Sequence, residues 1–269
     1  MFQEKIAAFF YLKIFLLIFL ILVIGSLIFK VVEEVVDSSF TNNSFSVLIV
    51  SKDSKYITVN KKDKSAVFLA VGDIRNFVKG KKPIEATFAL GIPIDAMLID
   101  NNPPVNLAEF SSSKNQWRLI VGDRVVYKNL NRYDILKIAG AIKAAPQDNK
   151  TEVRVNLFNQ EEMKEKVDGK LSDSTIVNTP LTIEIDNGTS INGLGNLFAI
   201  ILARKGYNVI SVKTANNSDN SYIAYPENPS DATKQLITLT RFPFLKTKKS
   251  QAADITIFLG DDLDAMLSP

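Results

Sequence analysis

Apolar residues run almost unbroken through the first thirty positions, then break into short runs separated by polar turns. Ile14 to Phe29 is sixteen residues without a charge, and reaching back to Ile6 crosses only Lys13. The 24 residues from Ile6 to Phe29 make about 36 Å of helix at ~1.5 Å per residue, against ~30 Å of bilayer hydrocarbon. Lys13 lies where it can snorkel toward the headgroups. The segment is apolar on every side, which does not suit a core helix. Its end, Leu27-Ile28-Phe29-Lys30-Val31-Val32, offers no small-x-small site for a signal peptidase. The pattern predicts a short tail and an uncleaved transmembrane anchor over residues 1–37. Lys5 and Lys13 flank it on one side, and Glu33, Glu34 and Asp37 follow Lys30 on the other. That bias predicts a cytoplasmic N-terminus, with residues 31–269 outside the cytoplasm.

The remainder reads as α/β (α+β). Ser38 to Ser44 is expected to be a polar linker. Strands are expected at Phe45–Val50, Tyr56–Val59 and Ala66–Val71, and a hairpin of Trp117–Val121 with Arg124–Tyr127 around Gly122-Asp123. Residues 131–144 read as a helix capped by Asn131, with Ile135, Ile138 or Ala139, and Ile142 on one face. Thr151–Phe158 then alternates as a strand. Residues 45–160 are thus a first, reduced α/β domain. Residues 161–180 are charged and predict a surface helix followed by a linker. From 181 to 264 the order is βαββαβ: strands at Leu181–Ile185, Val209–Val212, Tyr222–Ala224 and Ile255–Leu259. One helix spans Ile191–Lys205, stopped by Gly206, and another follows Ser230. Such an order makes a small two-layer sandwich, with helices on one face of a mixed sheet.

Composition narrows the chemistry. The chain has 269 residues with no Cys and no His, which excludes disulfides, thiolate catalysis, Cys/His zinc sites and Ser-His-Asp triads. Its formal charge is +3. The first thirty residues hold three Lys against one Glu, so the rest is close to neutral. That balance is unsuited to phosphate-backbone binding, and no nucleic-acid partner is expected.

The most informative stretch is Ile185-Asp186-Asn187-Gly188-Thr189-Ser190-Ile191-Asn192-Gly193-Leu194. A strand turns there through Asn-Gly-Thr into a glycine-bearing helix start, with Asn187 or Thr189 able to cap the helix. Free N–H groups at such a turn suit an anion or a sugar hydroxyl, which makes Asn187, Gly188, Thr189 and Gly193 candidate ligand-binding residues. The same residues equally build a turn that lets helix and strand pack closely.

These motifs also carry a family likeness. Asn187-Gly188-Thr189 followed by Gly193-Leu194, then Lys205-Gly206-Tyr207-Asn208-Val209, then Ala253-Asp254-Ile255-Thr256-Ile257-Phe258-Leu259-Gly260 resemble the C-terminal domain of LytR-CpsA-Psr proteins of the bacterial cell envelope. The first domain resembles a degenerate version of the same family's phosphotransferase domain. Val47-Leu48-Ile49-Val50-Ser51-Lys52-Asp53-Ser54-Lys55 is similar to its opening strand and loop, with Lys55 where Arg is expected, and Gly91-Ile92-Pro93-Ile94-Asp95 is similar to a further segment. Other elements depart. No Arg-x-Asp-Thr follows the first loop, Gly72-Asp73-Ile74-Arg75 stands where Pro-Arg-Asp is expected, and Asn101-Asn102-Pro103-Pro104 replaces Gly-Gly-Val.

Moving a phosphoglycosyl group from a lipid pyrophosphate needs clustered Arg and carboxylates that hold a divalent metal. The chain has seven Arg. Asp53 and Asp73 as metal ligands with Arg75 and Arg124 are the vestigial catalytic candidates, joined by Arg118 and Arg132 if these converge. The resemblance therefore implies a non-catalytic envelope protein that uses no cofactor, with the bilayer and peptidoglycan or an envelope glycopolymer as partners. The alternative is a transferase that attaches lipid-linked glycopolymers to peptidoglycan with Mg²⁺. Transcriptional attenuation, the family's historical label, suits neither the neutral balance nor the export.

Overall fold

The computed structural model describes residues 2–38, 40, 43–104, 106–122, 125–179, 181–225, 229–246 and 252–263. Helix α1 (Phe2–Val36) contains the segment Lys13–Val36, which is long and apolar enough to cross a membrane and has none of its most apolar window buried in the rest of the molecule. It is followed by strands β1 (Ser44–Val50), β2 (Ser54–Asn60) and β3 (Ser65–Gly72), then the short helix α2 (Arg75–Val78) and α3 (Pro83–Leu90). Next come β4 (Ala96–Ile99), α4 (Leu107–Phe110), α5 (Ser113–Val121), β5 (Val126–Lys128), α6 (Arg132–Ala144) and β6 (Lys150–Arg154). The sheet order is β5-β4-β1-β2-β3-β6. β1, β2 and β3 form an antiparallel meander, with β4 parallel to β1 and β6 parallel to β3. Every residue of β1 is buried because both faces of the sheet are covered. Phe45, Val47 and Ile49 pack toward α6 through Ile135, Ile138 and Ile142, whereas Leu48 and Val50 pack with Val78, Ala86 and Leu90 of α2 and α3. Strands covered on both faces read as continuous apolar runs rather than alternations.

Two further short helices, α7 (Gln160–Lys166) and α8 (Ser174–Val177), lead to a second unit. It comprises β7 (Thr182–Asn187), α9 (Leu194–Lys205), β8 (Asn208–Thr214), β9 (Tyr222–Tyr225), α10 (Asp231–Thr240), β10 (Phe244–Lys246) and β11 (Ile255–Leu259). Its sheet order is β10-β9-β11-β7-β8, with β9 and β11 antiparallel and the other pairs parallel. Leu194, Phe198 and Ile201 of α9 and Leu236 of α10 pack on Ile183, Ile185, Ile223 and Ile257 of the sheet. The βαββαβ expectation is met with one added edge strand, β10. Mixed α/β architecture with two mixed sheets and an apolar N-terminal helix is therefore established.

Several local expectations are corrected. Trp117–Val121 is part of helix α5, capped by the Ser112 hydroxyl, which accepts from the Asn115 N–H; its buried Leu119 beside exposed Trp117 imitated strand alternation. No hairpin follows, and Asp123 and Arg124 lie outside the described residues. The strand expected over Thr151–Phe158 ends at Arg154. Helix α6 forms as expected, and Asn131 and Asp134 cap it reciprocally.

Segments expected to be linkers are packed. In residues 38–44, Phe40 is fully buried and stacks on Phe45 at 5.0 Å, and the buried Asp134 carboxylate accepts from the Ser38 hydroxyl and the Phe40 N–H. In residues 161–180, expected as a surface helix and a linker, Met163, Val167 and Leu171 enter the first core and Ile176 enters the second. Met163, Val167 and Leu171 recur every four residues in a segment whose composition is mostly charged.

Candidate functional site

β1, β3, β4 and β6 run in one direction, and their carboxyl ends share one edge of the first sheet. Ligands of open α/β sheets bind outside that edge. The Ser51–Ser54 turn, Gly72-Asp73-Ile74-Arg75 and Asp100 all lie there, because Ser54 pairs with Gly72 and Val50 pairs with Ile99. The sequence candidates Asp53, Asp73 and Arg75 thus share one edge. Arg124 lies outside the described residues.

Each acid at the edge holds its own cation. Lys55, with its side chain only 5% exposed, donates Nζ to Asp53. Arg75 donates Nε and Nη2 to the two oxygens of Asp73 at 2.9 and 2.6 Å, and also its backbone N–H. These bonds, the side-chain ones foremost, hold Asp73 at about 2. A carboxylate satisfied by hydrogen bonds to its charged form protonates late. Arg118 donates Nη1 to both oxygens of buried Asp100, at 3.0 and 2.8 Å. Arg132 sits elsewhere: its backbone N–H donates to Glu34 at the end of α1. The Asp100–Arg118 pair was not legible because eighteen positions separate its members.

Mg²⁺, which a transferase of this kind requires, needs carboxylate oxygens free to converge. Among the described residues no group of three Asp or Glu does so, and Asp53, Asp73 and Asp100 are each closed by a cation. The residues present do not fit the ion.

The second candidate region is the carboxyl end of β7. Asn187 accepts from the Thr189 N–H and hydroxyl and donates Nδ2 to the Ile191 carbonyl, while the Thr189 hydroxyl accepts from the Ile191 N–H. These side chains therefore brace the turn. They do not cap α9, whose N-cap is Gly193 in the left-handed conformation, φ 80°. Gly188 donates its N–H to the Leu259 carbonyl, and a Cβ there would lie 2.7 Å from the Asn216 carbonyl oxygen. Gly188→Ala is therefore expected to lose ~1–3 kcal/mol of stability through overpacking, measured by urea unfolding; unchanged stability would remove this structural role.

Beside the turn, Tyr222 stacks on Phe258 with ring centroids 4.4 Å apart. Phe258 faces Asp186 across the β11–β7 register, and all three are partly exposed. Burial, then the neighbouring Glu184 carboxylate, raises the Asp186 carboxyl, with Lys213 opposing them. Burial also raises the Tyr222 hydroxyl. The sequence carried no signal for this surface beyond ordinary strand alternation. Asp262 is also part of the fold at this end: it accepts from the Ser221 N–H and hydroxyl.

The fold and this second sheet edge define a small α/β module. Residues 180–263, about a third of the chain, match a family described as "LytR cell envelope-related transcriptional attenuator" and form a LytR C-terminal domain. Among solved structures, a fragment of the Listeria monocytogenes protein Lmo1026, described as a transcriptional factor, is similar at 14% identity over 43% of this chain and 83% of its own, TM-score 0.29. The Listeria innocua protein Lin1025 is similar at 12% identity over 74% and 99%, TM-score 0.20. No curated protein matches the chain.

Proposed function

We propose that this is a membrane-anchored protein of the bacterial cell envelope, held outside the cytoplasm, which binds peptidoglycan or an envelope glycopolymer without catalysis. The observation that carries this reading is the contrast between the two sheet edges. In the first unit Asp53, Asp73 and Asp100 are each closed by a cation of the chain itself. In the second, Tyr222, Phe258 and Asp186 form a partly exposed aromatic and carboxylate surface beside the Asn187–Gly193 turn. Aromatic faces suit the C–H faces of sugar rings, and a carboxylate accepts from their hydroxyls. The first unit, a degenerate relative of the family's phosphotransferase domain, acts as a scaffold.

Sedimentation of the detergent-solubilised full chain with purified sacculi tests the binding. Tyr222→Ala combined with Phe258→Ala is expected to weaken retention about tenfold, ~1.4 kcal/mol. No retention of the unaltered chain would sink the proposal.

A second reading, a glycopolymer transferase, draws on one observation: Arg118 keeps a buried Nη2 without a partner among the described residues, at the sheet edge where ligands are expected. Turnover of a polyprenyl-pyrophosphate substrate with Mg²⁺, abolished by Arg75→Ala, would establish this reading in place of the first.

A further inference from the structure

The end of the membrane helix does not project freely from the first unit. Its Glu34 carbonyl accepts from Asn131 Nδ2 at 2.7 Å, and its Glu34 carboxylate accepts from the Arg132 N–H at 3.2 Å. Ser38 and Phe40 are tied to α6 by Asp134 and by the Lys137 ammonium, which donates to the Ser38 hydroxyl and the Phe40 carbonyl. The orientation of α1 therefore fixes which face of the first unit meets the bilayer surface.

That face is amphipathic. A cavity of about 260 Å³ opens between the last turns of α1 and helices α5 and α6, walled by Val31, Val35, Ile120, Tyr133 and Leu136 with Lys30 and Arg132 among its lining residues. Lys30 and Glu34, which also line it, are among the first charges after the apolar run, so the cavity sits at headgroup level. One helical turn from Ile120 on α5 stands Trp117, 69% exposed, and Leu136 on α6 is 46% exposed. Residues three apart share a helix face, so Lys114, Trp117 and Ile120 form one stripe with an exposed cation, an exposed aromatic and an apolar wall. An indole on a soluble surface is better solvated against a partner. Trp and Tyr concentrate where hydrocarbon meets headgroups, and cations lie beside lipid phosphates.

We propose that the α5–α6 face is a membrane-docking surface, seated on glycerophospholipid of the leaflet from which α1 emerges, with Trp117 at the headgroup–acyl boundary and the cavity filled by lipid. The occupant follows from two features together: the surface is continuous with the membrane helix, and Lys30, Lys114 and Arg132 match phosphate. The inference rests on α1 crossing the bilayer. Docking holds the first unit flat on the membrane instead of letting it swing from its anchor.

Trp117 is the only Trp in the chain, so its fluorescence reports this surface alone. The full chain is reconstituted into phosphatidylglycerol–phosphatidylcholine vesicles and first floated on a density gradient, which tests the anchor by itself. Lipids brominated near the headgroup end of the acyl chain are then expected to quench Trp117 roughly twofold, more than lipids brominated near the bilayer centre, with protection from aqueous iodide. Leu136→Asp, at an exposed position that the fold does not need, is expected to abolish most of the quenching while circular dichroism stays unchanged. Absence of bromolipid quenching with full iodide access would overturn docking while the flotation still stands. Strongest quenching from bilayer-centre bromines, or unchanged quenching in Leu136→Asp, would overturn it as well. Failure to float would remove the anchor and the docking together.

Discussion

Lys205→Met is expected to cost ~3–5 kcal/mol of stability, lowering Tm on the order of 10 °C. Lys205 ends α9 in the second unit, and its Nζ lies 3.3 Å from the Asp95 carboxylate of the first. Both side chains are almost wholly buried, at 4% and 7% exposure. Asp95 also accepts from the Ser46 N–H at 2.7 Å. Methionine keeps the length of the lysine stem but leaves that carboxylate buried without its cation, which is where the large cost arises. The pair itself contributes far less than its rupture suggests, because desolvation offsets most of the attraction. A double variant, Lys205→Met with Asp95→Asn, is therefore expected to recover most of the loss, since an amide still accepts from Ser46. Calorimetry of the two single variants and the double one closes the cycle. Additive losses would show that the pair does not couple the units.

This ion pair is part of a larger seam. Arg204 donates Nη1 to the Gly91 carbonyl and pairs through Nε with Asp168 at 3.0 Å. Phe88 of α3 packs on Phe198 of α9 at 5.1 Å, and Ile84 and Phe88 belong to the second core. The Gly91–Asp95 segment thus serves as the seat for the C-terminal end of α9. Its Pro93 carbonyl is fixed in turn by the buried Tyr56 hydroxyl at 2.9 Å. The two units are expected to unfold together for this reason.

The second large effect is expected at Asp134. Its carboxylate is fully buried, caps α6 through the Asn131 N–H and accepts from Ser38 and Phe40 in the segment that follows α1. Asp134→Ala removes the Asp134 half of the reciprocal cap and leaves buried donors without an acceptor, at a cost of ~2–4 kcal/mol. The loss is concentrated where α1 joins the first unit. Hydrogen exchange at the Phe40 amide should accelerate at least tenfold for each ~1.4 kcal/mol lost there, and proteases should cut within 38–44. Asp134→Asn, which still accepts, is expected to lose less than half as much. Cutting that remains confined to other loops would show that the junction is held by Phe40 packing alone.

The same contrast between local and distant partners explains what was legible beforehand. The long apolar helix was legible because sixteen uncharged residues are a property of consecutive positions. Helix α6 was legible because its cap and its apolar stripe are local, as were β7, α9 and β11 around Asn187-Gly188-Thr189 and Gly206. Residues 38–44 and the stretch after the helix in 161–180 were read as linkers because their polarity does not state what Phe40 and Ile176 meet in space. Asn187 was legible as a turn residue. Whether it capped α9 or braced the loop depended on the position of the Ile191 carbonyl, which the residue order does not state.

By itself, then, the order of residues determined a helix long and apolar enough to cross a membrane, an α/β character and the βαββαβ core of the second unit. Only the tertiary structure decided that Asp53, Asp73 and Arg75 share one sheet edge with the acids paired to Lys55 and Arg75, that Lys205 meets Asp95 across 110 positions, and that α5 lies beside the last turns of α1. Periodicity and capping act between neighbours in the chain. Charge pairing, burial and the direction of a surface act between neighbours in space, and only folding makes those.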